Sequence, residues 1–141
     1  MGLELAVRGM RLAIAAVDPN DPDLTAVRVG EAVMWADVAS DLVPHARHHL
    51  SPALSMTRNA VLHGAIVCAD VRDGLVWPMV WPLTWVDVVW APTNTIVNAL
   101  GCEPSASKVR HYEEYLAGQR VVPGLTDVLN HFERVARGST S

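Results

Sequence analysis

Apolar residues recur at three- and four-residue steps over most of this chain. Within residues 3–17, Val7, Met10, Ile14 and Val17 fall on such steps with Arg8 and Arg11 opposite, which predicts an amphipathic helix. The run "DPNDPD" (Asp18 to Asp23) stops that helix and supplies entry chemistry for the next, with Asp21 as N-cap and Pro22 in the first turn. This second helix, over 22–42, is expected to bury Leu24, Val27, Met34, Val38 and Leu42 on a broad stripe. Ser51-Pro52 repeats the cap-then-proline signature and opens a third helix running to about His63, where Gly64 interrupts.

The middle of the chain supports two readings. Asp73-Gly74 between β-branched runs is a hairpin signal, with Ile66–Val71 and Leu75–Val80 as its strands. A third helix continuing to a Gly74 cap is the alternative, and the hairpin is preferred. Further on, Val109, Tyr112 and Leu116 within 105–117 are closed by Gly118. Leu125, Val128, Leu129, Phe132, Val135 and Ala136 then form the cleanest helical stripe, closed by Gly138. Two such helices across a short turn predict an αα-hairpin. The expected fold is mainly α: a compact helical domain over 1–138 with a short β-hairpin near residues 65–80 and a C-terminal αα-hairpin, then a flexible tail at 139–141.

Around "LVWPMVWPLTWVDVVWAP" (Leu75 to Pro92) the helical pattern gives way. Trp77, Trp81 and Trp85 lie four apart, the spacing of a helical ridge, but Pro78 and Pro82 remove backbone donors and push Trp77 and Trp81 into extended geometry. The expectation is an extended run to Trp81, then a short helix from Pro82 carrying Trp85, Val86, Val89 and Trp90. Such rings either fill a core, burying on the order of 200 Å² each, or anchor a neighbouring subunit. On the second reading Trp77, Trp81, Trp85 and Trp90 are the interface residues. The internal prolines and the lack of flanking basic anchors argue against a membrane dip.

Composition narrows the class. Half of the 141 residues are hydrophobic and 18% are charged, enough apolar material for a packed core. A net charge of -4 argues against a nucleic-acid-coated surface. Two cysteines, Cys68 and Cys102, form no disulfide framework or metal motif and read as reduced thiols. "LAIAAV" (Leu12 to Val17) is too short for the apolar region of an export signal, so the expected location is cytoplasm or virion, with no membrane span.

Candidate chemistry is sparse. "PHARHHLSP" gathers His45, His48 and His49, with His63 and Cys68 following, a set from which a metal-dependent enzyme could draw ligands. Pro44 and Pro52 bracket it closely and no known ligand spacing is reproduced, so a solvated histidine-rich linker is the preferred reading. Ser51 and Ser55 lack a nucleophile-elbow frame, and Asp18, Asp21 and Asp23 lack the glycine and distal glutamate of a calcium loop. Glu113-Glu114 beside His111 reads as an exposed helix face. A helical DNA-binding regulator would use Lys108, Arg110, Arg120, Asn130, His131, Arg134 and Arg137 with Arg8 and Arg11, but Asp127 and Glu133 dilute that field. With no phosphate loop, dinucleotide fingerprint or paired-cysteine site, the expected function is non-enzymatic. The chain reads as an oligomeric interaction or assembly module, without cofactor, whose partner is itself or another protein. A small structural subunit of a larger particle, such as a phage connector or tail component, is the expected setting.

Overall fold

The computed structural model describes residues 2–18, 21–60, 67–74, 83–100 and 104–138. Among them the chain is mainly helical, with six α-helices and one antiparallel pair of strands.

Helix α1 (Gly2–Ala15) and helix α2 (Pro22–Leu42) form an antiparallel pair. The linker is tied by its own polar groups: Asp21 accepts from the Leu24 amide at 3.1 Å, as its N-cap position predicts, and the Thr25 hydroxyl donates to the Asp18 carbonyl. The pair packs through small residues. Gly2 faces the Leu42 side chain, and a Cβ on Gly9 would overlap the Trp35 ring. Ala6, Met10 and Ala13 of α1 are buried, as are Val29, Ala32, Val33, Ala36 and Ala39 of α2.

This corrects the expected face of α2. Leu24, Val27, Met34, Val38 and Leu42 lie 37–56% exposed on the outside, while alanine, glycine and valine face inward. The physical reason is close approach: a helix wedged between neighbours gains more contact from small side chains and short interaxial distances than from bulky ones it cannot accommodate.

A 3-10 turn (Pro44–Ala46) leads to helix α3 (Ser51–Ala60), and strand β1 (Val67–Gly74) pairs with strand β2 (Leu83–Trp90). The register runs from Val67 opposite Trp90 to Gly74 opposite Leu83. A strand pair is therefore present, in a different register from the expected one. Asp73-Gly74 belongs to a strand and is not its turn, and residues 83–90, expected as a helix, form the second strand. The density of Val86, Val88 and Val89 beside Thr84 outweighs Pro82 as a helix-start signal, because branched side chains lose rotamer freedom in a helix and pack well on a pleated surface. The expected strand over 75–80 and the tail at 139–141 lie outside the described residues.

Helix α4 (Thr93–Leu100) begins directly after Pro92, whose carbonyl accepts from Thr95 and Ile96 at 3.0 and 3.3 Å. Helix α5 (Ala106–Tyr115) is capped by Ser105, which accepts from the Lys108 amide at 3.3 Å. A turn through Gly118, at φ +73°, connects it to helix α6 (Val121–Ala136). The two helices are joined as the expected αα-hairpin requires, yet α5 packs mainly on α3 and α6 on α1. Two contacts stitch the strands into this layer. Trp90 exchanges backbone hydrogen bonds with Gln119 and Gly118 at 2.9 and 3.1 Å, and the buried Tyr112 hydroxyl donates to the Ala91 carbonyl at 2.6 Å. Leu125, Val128, Leu129 and Phe132 complete the core from the stripe on α6.

The glycine at the α1–α2 contact gives a direct test. Gly9→Ala should raise helix propensity by about 1 kcal/mol yet lower global stability by roughly 1–3 kcal/mol, because the methyl must displace the Trp35 ring. Urea denaturation followed by circular dichroism measures the difference.

Candidate functional site

The histidine-rich loop between α2 and α3 is drawn onto the α5–α6 side of the molecule. His48 is buried, and His45 and His49 are exposed. The His48 Nδ1 accepts the Leu50 amide hydrogen at 3.1 Å, which leaves Nε2 as the protonated nitrogen, donating to Asp127 at 2.7 Å. Beside it, His131 on α6 donates from Nε2 to the Ala46 carbonyl at 2.5 Å. The rings form a string. His48 stacks on His49 at 4.3 Å and meets His131 edge-on at 5.3 Å, and His49 reaches Tyr115 at 6.0 Å. His111 closes the string against Tyr115 at 4.6 Å.

Two clefts flank this junction. One of about 490 Å³ reaches from His49 and Asp127 to Tyr115 and Arg120; the other, about 450 Å³, runs past His48 and Arg47 to Ser55 and Lys108. The Lys108 ammonium donates to the Ser55 hydroxyl at 3.4 Å.

Of the expected metal candidates, the structure brings together His48 and His49 and adds Asp127, which sequence reasoning had assigned only to charge dilution. Their ligand atoms lie within 4.8 Å of one another. His45 stands apart on the 3-10 turn, and His63 lies outside the described residues. The chemistry of the set favours a structural role. Both nitrogens of His48 are already engaged, so coordination through Nε2 would require a proton on Nδ1, where the Leu50 amide hydrogen already points. His49 and Asp127 alone are two exposed ligands. The same geometry closes His48 to general-base work, since no ring nitrogen faces a cleft with a lone pair to offer.

The close contact between His48 and Asp127 joins an imidazole N–H to a carboxylate oxygen, in surroundings that disfavour the charged ring. Burial pushes the His48 imidazole below its ordinary value of 6.5, and His49 and His131 push the same way, against the opposing pull of Asp127. The Leu50 amide hydrogen on Nδ1 adds to this, because it bonds only the neutral ring.

Of the expected interface residues, Trp85 and Trp90 fall among the described residues, both in β2. Trp90 is 1% exposed and belongs to the core, which removes it as a surface anchor; its indole N–H has no hydrogen-bond partner among the described residues. Trp85 sits in β2 opposite Arg72, while Trp77 and Trp81 lie outside the described residues. The basic residues weighed for DNA are spread over α1, α5 and α6, with Arg11 paired to Glu133 at 2.5 Å.

The surface that sequence reasoning missed is the outer face of the α1–α2 pair. Besides the five residues of α2, Leu5 and Leu12 of α1 are 56% and 62% exposed. Each follows by three residues a glycine at the α1–α2 contact, Gly2 or Gly9, so both leucines border the outward stripe of α2. The signal was present as the seven-residue step from Leu5 to Leu12. No helix among the described residues is long and apolar enough to cross a membrane. In comparisons with known proteins, no family model matches the chain, and neither a curated protein nor a solved structure matches it.

The His48 environment sets a pH dependence. A histidine whose folded value is depressed leaves the unfolded chain holding more protons below 6.5. Stability from this site should therefore be complete above that value and decline as pH falls through 6.5 toward the folded value. His48→Asn should flatten that part of the curve, read as urea midpoints between pH 5 and pH 8.

Proposed function

We propose that this chain is a non-enzymatic, self-associating assembly module whose working surface is the outer α1–α2 face. One observation carries the reading: seven large apolar side chains, 37–62% exposed, line that face while alanine and glycine occupy the inner one. Scattered surface leucines need no explanation, but a contiguous stripe along a 21-residue helix does. Leaving it in water forgoes roughly 25 cal/mol for every Å² that a partner could cover. Its one central charge, Glu31, is held by Arg28 at 2.9 and 3.1 Å, so the stripe offers a partner little to desolvate unpaired.

The histidine junction supports the non-enzymatic half of the reading. Both nitrogens of His48 and the Nε2 of His131 are bonded inside the fold and act as fastenings. A small structural subunit of a larger particle, such as a phage connector or tail component, is the setting in which such a face has a constant occupant.

Light scattering on the purified chain at micromolar concentration should give a mass above the monomer. Met34→Glu places a charge in the middle of the stripe and should weaken association by roughly tenfold or more. Because Met34 is half exposed, the helical circular dichroism of the variant should match the parent. A parent that is monomeric at all concentrations would remove the basis for the proposal.

A further inference from the structure

The outward stripe of α2 has an internal symmetry. Counted along the helix from the level of Val33, which itself faces inward, Leu24 and Leu42 lie nine residues to either side, Val27 and Val38 six and five, Glu31 and Met34 two and one. Turned end for end, the pattern falls on itself to within one residue. A stagger of that size is what lets side chains of one helix enter the gaps of another.

Resting on the assembly reading above, we infer that the occupant of this face is a second copy of the chain, with the two α2 helices antiparallel about a two-fold axis near Val33 and Met34. A two-fold contact requires one patch to be complementary to itself, so that residue i meets j while j meets i. The end-for-end pattern meets that requirement, and a parallel pairing makes no use of it.

Charge points the same way. Two identical surfaces bring like charges together unless each is neutralised at home. Glu31 is paired with Arg28, Asp37 with Arg58, and Asp41 with Arg47 at 3.5 Å. In an antiparallel pair Asp23, at the start of α2, stands far from its own copy and comes beside the partner copy's Asp41, whose charge is met by Arg47.

Area is adequate as well. Leu24 to Leu42 spans about 27 Å at 1.5 Å per residue, and Leu5 and Leu12 widen the face onto the neighbouring helix. Two helices side by side offer a strip roughly 18–20 Å across. That is on the order of 500 Å² in projection, and more once side-chain relief is counted, close to the roughly 800 Å² per partner of a standard interface. Because a two-fold contact consumes the patch on both copies, it closes at two chains. A larger particle would then be built from dimers through some other surface.

A charge exchange tests the pairing. In the antiparallel arrangement Val27 of one copy meets Val38 of the other, so Val27→Lys or Val38→Glu alone should weaken the dimer by roughly tenfold or more. Both substitutions in one chain should restore it to within a few-fold of the parent, through two new lysine–glutamate contacts. Both positions are exposed, at 56% and 42%, and circular dichroism should report unchanged helix in all three variants. Sedimentation equilibrium reads the masses. A dimeric parent whose double variant stays apart would overturn the antiparallel pairing while leaving the assembly reading intact. A dimeric parent indifferent to either single substitution would place the interface elsewhere and overturn both the face and the pairing. A monomeric parent would fail at the earlier step.

Discussion

The close approach of α1 and α2 governs the rest of this structure. Gly9 admits the Trp35 ring and Gly2 admits Leu42, so at these two points only one helix puts a side chain between the backbones. An inner face made of Ala32, Ala36 and Ala39 with Val29 and Val33 lets α6 and α3 close in from the other side. Contacts between small residues are individually weak but many at short range, and dispersion sums over all of them. The consequence is geometric. With the small side chains committed inward, the large ones on the same helix have nowhere to go but out.

A second fastening stands just beyond the C-terminal end of α2. The loop 43–50 has no regular hydrogen bonding beyond its 3-10 turn, and it is held to α6 by side chains instead. His48 reaches Asp127, and His131 reaches back to the Ala46 carbonyl. These two bonds run in opposite directions between the same pair of segments, so the loop is pinned at two points, and the Ala46 carbonyl and Leu50 amide find partners inside the fold. The Ser40 and Ser51 hydroxyls, 3.1 Å apart and buried, link the end of α2 to the start of α3 across the same loop. Histidines clustered in sequence thus serve as hydrogen-bonding cross-ties, a use that needs no ion.

Most of the helices were legible because local chemistry fixes where a helix starts and stops. Asp21 with Pro22, Ser105 and Gly118 each act within one turn and sit where the pattern placed them, whereas Ser51 opens α3 as expected but turns its hydroxyl to Ser40. What the sequence could not reveal was direction. Helix α2 carries apolar residues on both faces, and periodicity finds a stripe without saying which stripe meets the core. Size decides that, through neighbours distant in sequence, and the bulky stripe was the wrong choice. The strand pair failed for a related reason. Asp-Gly is a strong turn signal locally, but register depends on which segment lies across the sheet, and the valines of β2 overrode both the glycine and Pro82. The candidate site was half legible: His48 and His49 are adjacent in sequence, whereas Asp127 and His131 join them only through folding.

The same inversion links the fold to its function. An inner face of small residues would suffice for a helix pair that ended in water, and then the outer face would be free to carry charge. Here it carries leucine, valine and methionine, while Glu31, Asp37 and Asp41 of the same helix are each bonded to an arginine of the same chain. Either feature alone is ordinary. Together they describe an exposed apolar surface with much of its like-charge repulsion neutralised, on a helix whose opposite face is filled by small side chains. A helix of this kind is under two separate packing demands, one met by its own chain and one that its own described residues leave unmet.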